Sequence, residues 1–271
     1  SCQNINLPLN STGNASITPA QVFASGSDNC GAVNLVSVIP SAFTCSNLGP
    51  NLVTLTVNDG HGNQSTCMAT VTVISTGQYL GVSGGSWFTA SNWCNGIPDQ
   101  NTDVSLDKTV LVDQSGGQAK SVSVQSGGEL RVGGASPSSI TVAQGIDVAG
   151  GGSLNLIANG SVTAAGVVVH SGGVLHVTSP SAALSVTNLT MENGSTLDWT
   201  AGSITINGGA WTNPVATTLM VGCNAGQSAA VAVDNGGVVI ANQITLCADG
   251  TARGNGTLMA AINNGGSIAP G

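Results

Sequence analysis

Histidine is the side chain best suited to proton transfer near neutral pH, and two of the three histidines in this chain, His170 and His176, fall inside a repeated pattern. With the repeats aligned, one polar column reads Gln125, Ala149, His170, Glu192, then Asp234 and Asn263. A second reads Arg131, Asn155, His176, Asp198. If each repeat is one coil of a stacked structure, neighbours along a column lie about 4.8 Å apart. His170 then reaches Glu192, and His176 reaches Asp198. A carboxylate beside an imidazole is the usual arrangement of a general base. It is also an ordinary arrangement of exposed side chains, and the two pairs sit on opposite sides of a turn. The sequence therefore predicts no catalytic residue, and these four are the nearest approach to one.

The elements that must position these residues are announced by a seven-residue phrase, in which an apolar residue, a polar one and a Ser/Gly/Asn-Gly turn lead back to an apolar residue. It reads Val124-Gln-Ser-Gly-Gly-Glu-Leu130, Val148-Ala-Gly-Gly-Gly-Ser-Leu154, Val169-His-Ser-Gly-Gly-Val-Leu175, Met191-Glu-Asn-Gly-Ser-Thr-Leu197, Val233-Asp-Asn-Gly-Gly-Val-Val239 and Ile262-Asn-Asn-Gly-Gly-Ser-Ile268. The opening residues are 24, 21, 22, 42 and 29 apart, which predicts a repeat of about 22 residues with one degenerate phrase near Thr212 and one enlarged coil. Gly and Asn tolerate positive φ, so each phrase reads as strand, turn, strand. The flanks, such as Ser121-Val-Ser-Val-Gln and Glu129-Leu-Arg-Val, alternate apolar and polar residues as half-buried strands do. No window shows a capped helical stripe. The expectation is an all-β chain whose second half, residues 85–271, is a right-handed parallel β-helix. Seven or eight coils from about Asp103 onward would stack into a rod of order 35 Å. Leu130, Leu154, Leu175 and Leu197 should form one interior row.

Composition bounds the partners. Only 6% of residues are charged, with four Lys and Arg against twelve acids and a net charge of -8. Nucleic-acid binding needs clustered cations and is not expected. Nor is membrane insertion, because the apolar runs are short and interrupted. The first residues, Ser-Cys-Gln-Asn, carry no signal peptide, so the chain is read as processed or cut from something longer. Seven cysteines with no C-x-x-C spacing favour disulfides over a metal site, hence a secreted protein. Cys223 and Cys247 are 24 residues apart, close to one coil, and stacking would bring them within disulfide range. The ending Asn263–Gly271 shows no polar cap, so either more protein follows or another subunit docks there.

Residues 1–76 hold no Lys or Arg and read as a small antiparallel β-sandwich, with alternating runs at Ala15–Thr18, Asn34–Ile39, Leu52–Val57 and Met68–Val73. Asp28, Asn29, Asp59 and Asn63 lie in its loops. They offer oxygens to calcium, although Asp and Asn are equally turn formers, and no cofactor is predicted. Residues 77–84 are a Gly/Ser-rich linker. In the segment 85–102, Trp87, Phe88 and Trp93 either stack on sugar rings as a glycan platform or cover the open first coil of the β-helix. Cys94 is the odd cysteine, a buried thiol or the site of a bond to another chain. Sequons at Asn10, Asn14, Asn63, Asn159, Asn188, Asn193 and Asn255 reflect a composition rich in Asn, Ser and Thr.

Residues Ser27-Asp-Asn-Cys-Gly, Phe43-Thr-Cys with Gly49 and Pro50, and Val53-Thr-Leu-Thr-Val-Asn-Asp-Gly-His-Gly-Asn-Gln-Ser-Thr-Cys-Met-Ala-Thr-Val-Thr-Val together resemble the hyalin-repeat (HYR) family of immunoglobulin-like modules found in secreted bacterial adhesins. The strand order of that family implies the disulfide Cys2–Cys67, leaving Cys30–Cys45. Gly85-Ser-Trp-Phe-Thr-Ala-Ser-Asn-Trp-Cys-Asn-Gly-Ile-Pro-Asp resembles the leader of β-helical repeats in Bacteroidota surface proteins, and Gly266-Ser-Ile-Ala-Pro-Gly271 resembles the last turns of autotransporter-type repeats. These resemblances imply a non-catalytic, extracellular structural or adhesive module, a stalk or filament segment of a bacterial surface protein. Its partners would be copies of itself, flanking domains of the same polypeptide or surface glycans. The alternative is a carbohydrate-binding or polysaccharide-degrading β-helix protein.

Overall fold

A computed structural model describes residues 1–10, 12–29, 31–75, 77–212, 218–221, 223 and 228–270. The chain divides into two compact units, Ser1–Leu80 and Gly81–Gly271. Both are built almost wholly of strands.

The N-terminal unit contains β1 (Ile5–Pro8), β2 (Asn14–Ser16), a four-residue helix at Pro19–Val22, β3 (Asn34–Ile39), β4 (Ala42–Thr44), β5 (Gly49–Asn58) and β6 (Gln64–Ile74). A four-stranded sheet has the order β1-β6-β5-β3, and β2 pairs with β4. The hairpin β5–β6 is the longest ladder, running from Gly49↔Val73 to Asn58↔Gln64. Alternation along it sends Val53, Leu55, Val71 and Val73 inward, where they meet Val22, Val38 and Phe43. The expectation of a purely antiparallel unit fails at one strand. β1 lies parallel to β6, with Ile5 opposite Val71. Parallel pairing demands a long crossover, and the rest of the unit, β2 to β5, supplies it.

The second unit is a parallel β-solenoid of about eight turns. Each coil has three sides. On side A, Gly117, Ile140, Val162, Leu184, Ile204, Val231, Ala252 and Ile268 stack in register. On side B the column is Val104, Val122, Ile146, Val167, Leu189, Trp211, Val239 and Leu258. On side C, Val110, Leu130, Leu154, Leu175 and Leu197 align. Most of these side chains are fully buried. In the last described coil the inward positions open to solvent, at Ile262, which stacks on the buried Ile244, and at Ile268, which stacks on the buried Ala252.

The glycine corners do two separate jobs. Gly127, Gly151, Gly172 and Gly194 have φ between 79° and 84°, a region that L side chains rarely enter. Their peptides form a chain of hydrogen bonds from coil to coil, Gly127 N–H to Gly151, Gly151 to Gly172 and Gly172 to Gly194, each 2.9 Å. The second glycine of the turn serves close approach, since a Cβ on Gly128 would sit 2.2 Å from the Leu106 carbonyl oxygen.

The six phrases do not mark one corner. The first four turn from side B to side C. Val233 pairs with Ile206 on side A, so its phrase turns from A to B. Asn263 pairs with Thr245 on side C, so the last phrase turns from C to A. The spacings of 42 and 29 thus record two changes of phase, and Thr212 lies in a regular strand, Ala210–Thr212. Asp234 stacks on Asn207, and Asn263 stacks on Thr245. Neither belongs to the column of His170 and Glu192.

Candidate functional site

The outward faces of sides B and C carry His170, His176 and their carboxylate partners. Asp147 occupies the strand Ser138–Val148 of one coil, His170 the corner after Gly160–Val169 in the next, and Glu192 the corner after Ala183–Met191 in the third. His170 Nε2 lies 3.1 Å from the Asp147 carboxylate, and Nδ1 lies 2.9 Å from Glu192 Oε1. The residue directly beneath His170 in its column is Ala149, whose small side chain lets the ring lean across to Asp147. That third partner is absent from any column reading, because Asp147 lies in a strand and not in the corner phrase.

Both ring nitrogens face a carboxylate oxygen. A neutral imidazole has one donor and one acceptor, so only the imidazolium satisfies both contacts. The hydrogen bonds with Asp147 and then Glu192 accordingly hold the His170 pKa above its ordinary value. The protonated form that these contacts favour has no lone pair to act as a general base. The cluster instead works as a tie across three coils. Its groups are 38% to 52% exposed, so solvent limits its effect to less than about 1 kcal/mol. The stabilisation is fully present below the unfolded-state pKa of about 6.5 and is lost as pH rises through the higher folded value. The unfolding free energy of the wild-type solenoid should therefore fall as pH rises above about 6.5, and His170→Gln should flatten that slope. Denaturant titrations of both proteins at several pH values measure it; equal slopes would show that the tie is not formed.

On side C the outward column places Arg131 beside Asn155, Asn155 beside His176, and His176 beside Asp198. His176 Nδ1 lies 3.0 Å from Asp198 Oδ2. Further down the face Glu129 gathers four donors. Arg131 Nε and Nη2 approach it at 3.0 and 2.9 Å, Asn155 Nδ2 at 3.0 Å and Thr109 Oγ1 at 3.1 Å. Burial alone would raise its pKa, but the donors from Asn155 and Arg131 outweigh it, and the carboxyl is held below its usual range.

Trp87 and Trp93 are 0% and 4% exposed, with ring centroids 4.7 Å apart in an edge-on arrangement. The Trp93 indole N–H donates to the Trp87 carbonyl at 2.7 Å. A sugar-stacking platform needs an open ring face, so these two rings do not form one, and Phe88 alone is half-exposed. They fill the start of the solenoid, where Gly85 and Ser86 pair with Val110 and Leu111.

The disulfide Cys2–Cys67 has a Cα separation of 5.8 Å, and Cys223–Cys247 joins adjacent coils at 4.8 Å. Cys45 and Cys94 are also oxidised, so Cys94 is not a buried thiol. The pairing Cys30–Cys45 lies outside the described residues because of Cys30. Such bonds persist in oxidising compartments. No described helix is long and apolar enough to cross a membrane.

In the N-terminal unit Asp28, Asp59 and Asn63 border one groove. Asn29 does not line it. The Asp59 carboxylate accepts from the Asn63 side chain and from the backbone N–H groups of His61 and Asn63. These bonds, Asn63 first, lower its pKa. Asp59 thus organises its own turn. Among the described residues no group of three or more His, Cys, Asp or Glu is arranged to hold a metal ion.

Residues 78–191 match a family model described as a domain of unknown function (DUF8693). This is less than half of the chain, which is similar to that family over those residues. The match ends on Met191, the last residue before the fourth corner, and so lies within the run where the corner phrase keeps one phase. No curated protein and no solved structure matches the chain.

Proposed function

We propose that this chain is a rigid structural module of an extracellular bacterial surface protein, a stalk or filament segment made to hold its shape and not to turn over a substrate. The observation that carries this reading is the unbroken stacking of the side A column from Gly117 to Ile268. Such a stack buries apolar surface and satisfies backbone groups in every coil. The disulfide Cys223–Cys247 ties two coils of it together, and the His170 cluster ties three. On this reading the N-terminal unit is an immunoglobulin-like sandwich of hyalin-repeat type, and the solenoid is right-handed.

A second reading draws on His176 and Asp198, the pair that keeps the geometry of a base and its orienting carboxylate. One experiment separates the two. The purified protein is assayed on neutral and acidic polysaccharides beside His176→Ala and imaged by negative stain. The structural reading expects no turnover and either separate rods or filaments. Turnover that His176→Ala removes would overturn it.

A further inference from the structure

The groove of the N-terminal unit has a volume of about 580 Å³, within the range of small-molecule sites, roughly 300 to 1,000 Å³. Its two kinds of lining are segregated by the fold. Phe23, Val33 and Val57 are half-buried and give it an apolar floor. The loops before β3 and between β5 and β6, with the first residue of β6, give it a polar rim, on which Asp28, Asp59, Asn63 and Gln64 stand. Carboxylates accept, and side-chain amides both donate and accept, so this rim complements a ligand presenting many hydroxyl groups. The floor complements a face of C–H groups.

Charge narrows the class. Residues 1–80 include Asp28 and Asp59 but no Lys or Arg. An acidic sugar or a phosphate would meet the Asp28 and Asp59 carboxylates at a cost of like-charge repulsion, and the Ser1 ammonium at the groove edge is turned to the Ser25 carbonyl. The Asp59 carboxyl, held ionised by its turn, keeps that repulsion in place at any pH above the carboxylate range.

We infer that this groove binds a saccharide without acidic groups, its C–H face on Phe23, Val33 and Val57 and its hydroxyls on the Asp28, Asp59, Asn63 and Gln64 rim. This goes beyond the structural role of the solenoid by giving the N-terminal unit a ligand. The two readings fail separately, because the groove contains no solenoid residue.

The test is saturation-transfer NMR titration of the whole protein. The probes are neutral trisaccharides of gluco, manno, galacto and N-acetylglucosamine configuration, with trigalacturonate as the acidic arm. Transfer to at least one neutral trisaccharide and none to trigalacturonate is expected. Ser27 and Gln64 are exposed, so Ser27→Trp, which fills the groove, and Gln64→Ala, which removes a rim amide, should leave the melting temperature unchanged. Each should weaken binding roughly tenfold, about 1.4 kcal/mol. Silence from all four neutral probes overturns the assignment, as does equal transfer to trigalacturonate or unchanged affinity in both variants.

Discussion

Leu154→Ala should lower the stability of the solenoid by about 3 kcal/mol, within the usual 2 to 5 kcal/mol for a buried leucine. Leu154 is wholly buried, with Leu130 and Leu175 directly above and below it. The cost of such a truncation depends on how far the surroundings relax into the space. Here they are pinned, because each neighbouring backbone is hydrogen-bonded in register on both sides. The same change at Leu197 is the internal control. That residue stands at the end of the described row and is half-exposed, so its truncation should cost clearly less, about 1 kcal/mol. Two units need not unfold together, so the measurement is amide hydrogen exchange read on side C. Protection lost around Leu130 to Val177 in Leu154→Ala, and retained in Leu197→Ala, is the expected pattern. Equal small effects from both would show that side C is not a packed column.

How much of this was legible in the residues follows from what the corner phrase encodes. It specifies an apolar residue entering a turn, a backbone position at positive φ, and an apolar residue leaving. Every corner of a three-sided coil asks for the same thing. Strand, turn and stacking could therefore be read at Val124–Leu130 and its three successors, whereas the phase of Val233–Val239 and Ile262–Ile268 could not. Only the partners Ile206 and Thr245 reveal which corner each one turns. The contact of His170 with Glu192 follows from the column. Its contact with Asp147 depends on the small size of Ala149 and on a diagonal reach that a one-dimensional alignment does not show. The aromatic segment posed a different difficulty. A cap and a platform need the same tryptophans, and burial alone distinguishes them. In the N-terminal unit Ile5–Pro8 is too short to stand out as a strand, and its parallel pairing with β6 is a long-range fact with no local signature. The groove has no local signature either, for a related reason. Phe23 and Gln64 are far apart in sequence and meet only when the loops before β3 and after β5 are brought to the same end of the sheet.

Replacing Cys2 and Cys67 together by Ala should destabilise the N-terminal unit by about 4 kcal/mol while leaving the solenoid unchanged. The bond spans 65 residues, and the loop-entropy relation gives that magnitude for a loop of this length. Structure on either side explains why little else replaces it. The segment before β1 is held by an isolated bridge between Cys2 and Phe23 and by the Gln3 N–H to the Val22 carbonyl at 2.9 Å. β1 itself adds four residue pairs with β6. Cys67, by contrast, sits within the β5–β6 ladder opposite Leu55, so the disulfide anchors the weakest strand to the strongest hairpin. A unit of about 80 residues buries a modest core, and a loss of this size is a large part of a typical domain's whole stability of roughly 5 to 15 kcal/mol. Calorimetry of the variant should show an early transition for the N-terminal unit, separated from an unshifted one for the solenoid. Residual structure in the unfolded chain would reduce the gap, but a single unshifted transition would mean that β1 is held by its sheet pairing and not by the bond.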